Sequence, residues 1–401
     1  MDKLKTITEH IASFYNVLKR EVILLSKDVN IISILFLAPL FYSFLYGSIY
    51  WNKVETKVPI IVVDNDCSEY SQKLIRHLDA HQSLAVNEIT GDYGYAKSQI
   101  EKESEKGIVF IPKDFESGIK KGNGGFIKTF YNTTQFLVSN DINKGVTDVV
   151  LQMNSEVKSH LLKSKGYTQQ QAELIAEPIR LDLRPMFNFT ESYGDYMIPA
   201  ILVLIIQQTL LIGLSESVAK ENENNSLKEW YSKSESKTLF AIAGKGFFYF
   251  VLYAAYAFFF FTFNFSLFKI NFLGSANALT LLTIVFLLTV IFWSIFISSF
   301  FRRKIVALQF LTLTSYPVFL ISGYSWPMSS MSLWLQMLSN LLPSTPYFAA
   351  YTRITQMGAQ LNNIIPELIH LSVLAVVGLI AAYFRMNKLF KKVEKEVTIS
   401  I

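Results

Sequence analysis

Six long apolar stretches constrain this chain more than any other feature of its sequence. A helix needs about 20 consecutive, mostly apolar residues to cross the hydrocarbon core of a bilayer. The composition, with 51% hydrophobic and only 17% charged residues, argues against an ordinary soluble domain. The sequence therefore predicts a polytopic α-helical membrane protein with six transmembrane helices. The stretches cover residues 30–51, 196–218, 244–265, 278–300, 305–324 and 364–384.

The distribution of Lys and Arg predicts how these helices are oriented. Short connections rich in these residues stay in the cytoplasm. Lys and Arg cluster before the first span, between spans two and three, between spans four and five and after the sixth, whereas the other two short connections contain one Lys. Both termini are therefore predicted to lie in the cytoplasm, in a multi-pass protein of the cell (inner) membrane. The predicted parts are an interfacial helix, a first span, an extracytoplasmic domain, a five-helix region and a cytoplasmic tail, at residues 1–29, 30–51, 52–195, 196–385 and 386–401.

The long polar segment between the first and second spans combines strand-like and helix-like patterns. Three strands are predicted at residues 58–66, 106–115 and 124–132, with a further strand near 179–185. Helical spacing of apolar residues predicts helices at 68–80 and 140–165. The segment thus predicts an α/β domain, inserted between the first and second spans, that is large enough to bury its own core.

Little in this domain suggests chemistry. Asp64, Asp66 and Glu69 follow the first strand and could hold a metal ion, although carboxylates at such a place more often cap turns and helices. The histidines show no zinc-ligand spacing, and no nucleophile elbow surrounds a serine. The single cysteine, Cys67, cannot form an intramolecular disulfide. We predict a binding or docking surface with no catalytic, metal or cofactor site, and no nucleic-acid partner.

The connection between the second and third spans, SVAKENENNSLKEWYSKSESK, is short and almost wholly polar. Ser226 and Glu229 form an S-x-x-E pattern, in which both side chains bond to backbone amides at the start of a helix. Asn225, just before it, tolerates the left-handed conformation that turns require. A short helix is predicted here, exposing Trp230 and Tyr231 for insertion into a groove of a partner.

The beginning of the chain predicts another helix. Apolar residues recur there at helical spacing, so a helix can lie along the membrane interface before the first span. A simple interfacial anchor is the alternative to a helix that contacts a partner. The recurring residues are Leu4, Ile7, Ile11, Phe14, Leu18 and Val22.

These motifs together resemble the permease subunits of ABC-2 type exporters over almost the whole chain. In that family the interfacial helix ends in an Arg-Glu pair and an Asp, which correspond to Arg20, Glu21 and Asp28. A Gly-Lys pair that starts the family's third span corresponds to Gly244 and Lys245. The family's Glu-x-Glu-x-Gly-Thr/Ser pattern with a following Glu corresponds to Glu221, Glu223, Asn225, Ser226 and Glu229, where Asn225 replaces the usual glycine. The most specific region matches at Pro317, Ser322, Gly323, Pro327, Pro343 and Tyr347.

The resemblance implies a division of labour between subunits. Residues 221–235 would form a coupling helix that docks on a separate ABC ATPase, and that subunit would bind ATP and Mg²⁺. The chain itself lacks the G-x-x-x-x-G-K-[ST] loop that cradles ATP phosphates, so it is not predicted to be an enzyme. Residues 326–347 would form re-entrant helices at the outer leaflet. A second permease copy or paralogue, membrane lipid and, in a Gram-negative cell, a periplasmic adaptor protein are the other expected partners.

The scarcity of charge within the spans favours a hydrophobic or amphipathic substrate. Glu367 and His370, near the start of the last span, are the main exceptions, and charged residues at membrane depth are functional candidates. The predicted function is therefore export of such a substrate out of the cytoplasm or inner leaflet. The alternatives are a membrane-anchored sensor or docking protein with a ligand-binding outside domain, and a membrane-embedded enzyme.

Overall fold

The computed structural model describes residues 2–53, 56–177, 184–188 and 191–399, with backbone alone for residues 2–11 and 396–399. The chain forms two compact units. The first, here called the membrane unit, consists of Met1–Lys53 and Pro185–Ile401, and the second, the sheet unit, consists of Val54–Arg184. The described residues are mostly helical, and the strands among them all belong to the sheet unit.

Two helices begin the membrane unit. Helix α1 is Asp2–Leu25, and α2 is Val29–Ile49, an apolar helix long enough to cross a membrane. The Asp28 side chain accepts hydrogen bonds from the backbone N–H groups of Asn30 and Ile31, and so satisfies two amides that have no partner within the helix. Asp28 is therefore the N-cap residue of α2, at the end of the link from α1.

The sheet unit follows α2 in the chain. Its sheet has the order β2-β1-β3-β4, in which β1 is parallel to β2 and β3, and β4 is antiparallel to β3. Six of the seven residues of β1 are buried, which explains its uninterrupted apolar sequence. The elements are β1 Val58–Asp64, α3 Glu69–Ala80, β2 Leu84–Thr90, α4 Tyr93–Glu101, β3 Gly107–Ile111, α5 Phe115–Lys120, β4 Lys128–Tyr131, α6 Phe136–Ser164 and α7 Gln169–Ala176.

The structure confirms the predicted strands that correspond to β1, β3 and β4, and the predicted helices that correspond to α3 and α6. Sequence patterns did not predict β2, α4, α5 or α7. Strand β2 lies at the edge of the sheet, and Asn87, Glu88 and Ile89 in it are exposed, so it lacks the apolar alternation of a half-buried strand. The strand predicted near residues 179–185 falls largely outside the described residues, and Arg184 and Pro185 are not in a strand.

The carboxylates of Asp64 and Asp66, after β1, accept hydrogen bonds from backbone amides and so stabilise the local backbone. Asp64 accepts hydrogen bonds from the amides of Asp66 and Cys67 at 3.0 Å, and Asp66 accepts from the amides of Phe115 and Glu116 at the start of α5. Burial opposes ionisation of Asp66, but hydrogen bonds to its carboxylate outweigh that effect and lower its pKa. Within the described ranges, no group of three His, Cys, Asp or Glu side chains could hold a metal ion.

The remaining elements complete the membrane unit. They are α8 Tyr193–Glu223, α9 Leu227–Lys233, α10 Thr238–Leu267, α11 Ala276–Ser298, α12 Lys304–Ile321, α13 Leu333–Asn340, α14 Ser344–Thr355 and α15 Ile365–Ile399. With α2, the helices α8, α10, α11, α12 and α15 give six described helices that are long and apolar enough to cross a membrane. Each corresponds to one of the predicted stretches.

Helix α8 is the centre of the membrane unit. It packs against α2, α10, α11 and α12. Of the residues in its most apolar 18-residue segment, 78% are buried. A helix that is apolar on every side is typical of such a central place. Helix α8 continues past the predicted end of its span, residue 218, to Glu223. Glu221 in this extension is buried, as are Glu216 and Ser217 just before it.

Candidate functional site

Four charged side chains lie buried together in the membrane unit. Arg20 and Glu21 come from α1, Glu221 from α8 and Lys245 from α10. Their side chains are 7%, 1%, 2% and 0% exposed, although charged residues are almost never fully buried unless they are paired. We call these four residues the buried charge network. It contains two cations and two anions, so its formal charge is balanced.

The network is held by short, direct contacts. Arg20 binds Glu221 through two parallel hydrogen bonds of 2.7 and 2.9 Å. Lys245 Nζ lies 2.5 Å from Glu21 Oε2 and 3.2 Å from Glu221 Oε1. The second oxygen of Glu21 accepts from Ser217 at 2.6 Å and from Tyr249 at 2.9 Å. Every carboxylate oxygen is therefore partnered, which buried charges require.

A glycine brings α1 and α10 close enough for this pairing. A Cβ atom on Gly244 would lie 2.8 Å from Val17 Cβ and 3.0 Å from Phe14 O. Small residues permit such close backbone approach between helices in membranes. The Gly-Lys pair therefore has two structural roles: Gly244 admits α1, and Lys245 reaches Glu21 on it.

Helix α9 joins the network through its first turn. Asn225 has φ +55°, which confirms that this position takes the left-handed conformation favoured by glycine. The predicted capping box is wrong, because the Ser226 side chain makes no capping hydrogen bond. Ser226 instead donates to the Glu221 carboxylate, and Glu229 Oε1 lies 3.1 Å from Arg20 Nε. Bonds to charged partners are stronger than the neutral capping bonds that they replace.

The predicted exposure of Trp230 is also wrong. Trp230 is fully buried, and its Nε1–H donates to the Ala241 carbonyl oxygen at 3.1 Å. Its ring meets Phe390 of α15 edge to face at 5.3 Å, and Lys245 Nζ lies 4.8 Å from the ring centroid. Tyr231 is partly buried and stacks on Phe390. The aromatic side chains thus fix α9 to its own chain.

The outward face of α9 is polar. Lys228, Glu229, Ser232 and Lys233 are exposed there. Leu227 and Trp230 occupy the opposite, buried face. A partner that contacts α9 would therefore meet charged and hydroxyl groups.

A second cluster ties α2, α8 and α12 together. Asp28 accepts hydrogen bonds from Lys220 at 2.7 Å and Lys304 at 3.1 Å, and Glu223 accepts from the backbone amide of Lys304 at 2.8 Å. Burial alone would raise the pKa of Asp28, but the hydrogen bonds from the two lysines lower it to about 2. Asp28 is therefore ionised at neutral pH.

The surroundings of Arg20 likewise favour its charged form, here by raising the pKa. Burial would lower its pKa, but hydrogen bonds and charge from Glu221 and Glu229 raise it above its ordinary value. Arg20 thus stays charged, as the network needs. Because its partners belong to α8 and α9, a displacement of α9 changes the contacts of α1 and α8 directly.

The third predicted set lies around α12 to α14. Pro317 is inside α12, and Gly323 follows its end with φ +87°. Pro327 precedes a 3₁₀ turn and Pro343 precedes α14. Tyr347 is buried on α14, where it stacks on Phe286 at 4.0 Å and its hydroxyl lies 3.1 Å from Thr283. Ser322 ends α12, and its hydroxyl donates to Phe319 O.

Sequence patterns did not predict the ion-pair and hydrogen-bond roles of Lys220, Lys245, Tyr249 and Lys304, although Gly244 and Lys245 correspond to a family motif. A usable signal existed for Lys245, because a lysine seven residues inside an apolar helix needs a buried anionic partner. The partners themselves are 224 and 24 residues away in the chain. No local pattern reveals contacts at such separations.

Comparison with known proteins identifies the family. A family described as ABC-2 family transporter protein matches residues 30–384. The chain belongs to the ABC-2 transporter family. Its members are the membrane components of ABC transporters and are not themselves enzymes. Family membership and the six long apolar helices together indicate a multi-pass membrane protein.

Two curated relatives of this ABC-2 protein cover most of its length. It is 22% identical to the linearmycin resistance permease of Bacillus subtilis (strain 168) over 357 residues, which are 86% of this chain and 91% of that protein. It is 21% identical to the probable multidrug ABC transporter permease of Escherichia coli (strain K12) over 290 residues, which are 72% and 75% of the two chains.

Proposed function

We propose that this chain is the permease subunit of an ABC exporter. It moves a hydrophobic or amphipathic substrate out of the cytoplasm or inner leaflet, and a separate subunit binds ATP and Mg²⁺ and hydrolyses the ATP. The observation that carries the proposal is the construction of α9, which is fixed on one side by buried contacts and exposed on the other. The names of the two relatives support an antibiotic-like or drug-like cargo.

The exposed face of α9 is the proposed contact with the ATPase. It carries Lys228, Glu229, Ser232 and Lys233. The sequence distribution of Lys and Arg supports a cytoplasmic place for this helix and for both termini. The sheet unit then lies on the other side of the membrane.

Two routes lead from α9 into the spans. One runs through Trp230, which contacts Ala241 of α10 and Phe390 of α15. The other runs from Glu229 through Arg20 to Glu221, and so reaches α1 and α8. Closure of the ATPases would displace α9, and both routes would pass the displacement to spans that switch access to the substrate path. A second copy of this chain or a paralogue supplies the other half of that path.

The test is co-purification with the ATPase. Lys228→Glu/Lys233→Glu reverses two charges on the exposed face without touching a buried contact, so we expect at least a tenfold loss of bound ATPase and a matching loss of export. The matched control is Lys102→Glu/Lys121→Glu, which reverses two exposed charges of the sheet unit. Unchanged ATPase binding in the α9 variant would show that the contact lies elsewhere.

A further inference from the structure

A cavity of about 480 Å³ lies in the membrane unit, among the end of α12, α14 and the start of α15. It shares no residue with the buried charge network. Three aromatic rings and three ionisable side chains dominate its lining. They are Tyr196, Tyr324, Phe348, Arg353, Glu367 and His370.

Each guanidinium nitrogen of Arg353 has a partner in its own chain. Its Nε donates to Ala349 O at 3.2 Å and its Nη1 donates to Asn363 O at 2.9 Å. Its Nη2 forms an ion pair with Glu367 Oε1. The ion pair with Glu367 therefore balances the charge of Arg353 within the chain.

The second carboxylate oxygen of Glu367 takes no part in the ion pair with Arg353. Glu367 Oε2 is buried and has no hydrogen-bond partner in the described part of the chain. An unsatisfied buried carboxylate oxygen is costly, and such an atom in a native structure calls for a partner. Glu367 lines the cavity, which has room for such a partner.

His370 is held by α13. Its Nε2 lies 2.9 Å from the Asn340 carbonyl oxygen. Because a carbonyl can only accept, Nε2 carries a proton and donates to it. The acceptor that remains for a ligand in this cavity is therefore Glu367.

The aromatic wall offers ring surface and no hydroxyl. The rings of Tyr196 and Tyr324 stack at 4.8 Å, and Tyr324 and Phe348 are 5.1 Å apart. Each tyrosine hydroxyl donates to the backbone carbonyl oxygen of the other tyrosine. Aromatic faces attract ammonium groups by the electrostatics of their π-systems.

We propose that this cavity binds the ammonium group of an amphiphile. The ammonium donates to Glu367 Oε2 beside the aromatic wall. Helix α13, whose last residue Asn340 lines the cavity, carries the exposed apolar side chains of Leu333, Trp334 and Met337, along which the apolar tail lies. The inference rests on the proposed function in one respect, that the ligand comes from the membrane, either as exported cargo or as a resident phospholipid with a primary amine.

Binding is tested on the purified permease alone in an uncharged detergent, with dodecylamine and dodecanol as probes. We expect wild-type protein to bind the amine at least tenfold more tightly than the alcohol. Glu367→Gln should abolish this preference and leave dodecanol binding unchanged. The control Glu103→Gln removes an exposed carboxylate of the sheet unit and should keep the preference. Equal binding of both probes by wild-type protein, or a preserved preference in Glu367→Gln, would overturn the proposal.

Glu367→Gln disturbs the ion pair with Arg353 and could therefore misfold. A second variant tests the cavity while it leaves that ion pair intact. Ala349 lines the cavity on α14 and is exposed, so Ala349→Leu fills space without removing a charge. We expect it to weaken dodecylamine binding at least fivefold. Unchanged binding would mean that the amine sits elsewhere.

Two further measurements distinguish the source of the ligand. Native mass spectrometry of wild-type protein from membranes rich in phosphatidylethanolamine tests for a resident lipid, which dodecylamine should displace. Competition of dodecylamine with export by the complete transporter tests for cargo. The Lys228→Glu/Lys233→Glu variant should keep its amine preference, so a failure of the ATPase contact and a failure of the ammonium site are separable.

Discussion

Replacement of Lys245 by methionine removes the ammonium that lies between the two carboxylates of the buried charge network. Lys245 is fully buried, with Nζ 2.5 Å from Glu21 and 3.2 Å from Glu221. Methionine has a similar length and an apolar side chain, so Lys245→Met changes volume little. The variant therefore isolates the loss of charge from the loss of packing.

The expected loss follows from what each carboxylate retains. Glu221 keeps its two hydrogen bonds from Arg20, whereas Glu21 keeps only neutral donors, Ser217 and Tyr249. Removing one partner of a buried ion pair costs about 3–5 kcal/mol. We expect about 3 kcal/mol at neutral pH, the lower end of that range, because two donors to Glu21 remain.

The companion variant Glu21→Gln/Lys245→Met removes both members of the pair. It should be more stable than the sum of the two single variants by about 2 kcal/mol, because neither charge is left alone in the interior. The free energy of unfolding is measured by titrating sodium dodecyl sulfate into the permease in dodecyl maltoside and following helix content by circular dichroism. The control is Lys228→Met, on the exposed face of α9. A loss in Lys245→Met within about 1 kcal/mol of the control, or additive single effects in the double variant, would refute the reasoning.

Three further predictions use the same titration. Trp230→Phe removes the indole N–H that donates to the Ala241 carbonyl oxygen, so we expect the free energy of unfolding to fall by about 1–2 kcal/mol. We also expect less substrate to be exported per ATP hydrolysed. An unchanged ratio of export to hydrolysis would show that Trp230 does not transmit the displacement of α9. Asp28→Asn keeps the capping oxygen but not the charge. Because the folded-state pKa of Asp28 is lowered to about 2, its contribution of about 1–2 kcal/mol is present above pH 4 and is lost as pH falls through about 2, so the variant should differ from wild type at pH 7 and converge with it as pH falls through about 2. Gly244→Ala should cost about 1–3 kcal/mol by pushing α1 from α10, whereas Gly91→Ala, whose Cβ would have only an ordinary contact at 3.7 Å, should be nearly neutral.

The spans were predictable because the bilayer imposes one length on every helix that crosses it. Strand β1 was predictable for a similar reason, since burial on both faces gives a continuous apolar run. Strand β2 was not, because Asn87 and Glu88 interrupt its alternation at the exposed edge of the sheet. Sequence patterns thus predict an element that is apolar throughout or has a regularly repeating apolar face, and they fail for a strand whose consecutive residues Asn87, Glu88 and Ile89 are all exposed.

The orientation of α9 could not be predicted from its own residues. With seven residues, the helix has too few turns for a hydrophobic periodicity to show which side is buried. The partner that buries Trp230 is Phe390, which is 160 residues away in the chain. The S-x-x-E pattern misled for a related reason, because Arg20 reaches Glu229 and a charged partner outcompetes a backbone amide.

The buried charge network is poor evidence for stability, since apolar residues of similar volume often stabilise a protein as much as a buried ion pair does. The network instead fixes the positions of α1, α8 and α10 along one another. Glu21 finds Lys245, Ser217 and Tyr249 together only in the observed arrangement of α1, α8 and α10; a slip of any one helix by a turn would leave a carboxylate against apolar side chains. An apolar interface would tolerate intermediate positions, whereas this one penalises them. If α9 is displaced as proposed, helices that meet through such a network would move as one body, and the displacement would reach the spans instead of being absorbed by repacking between them.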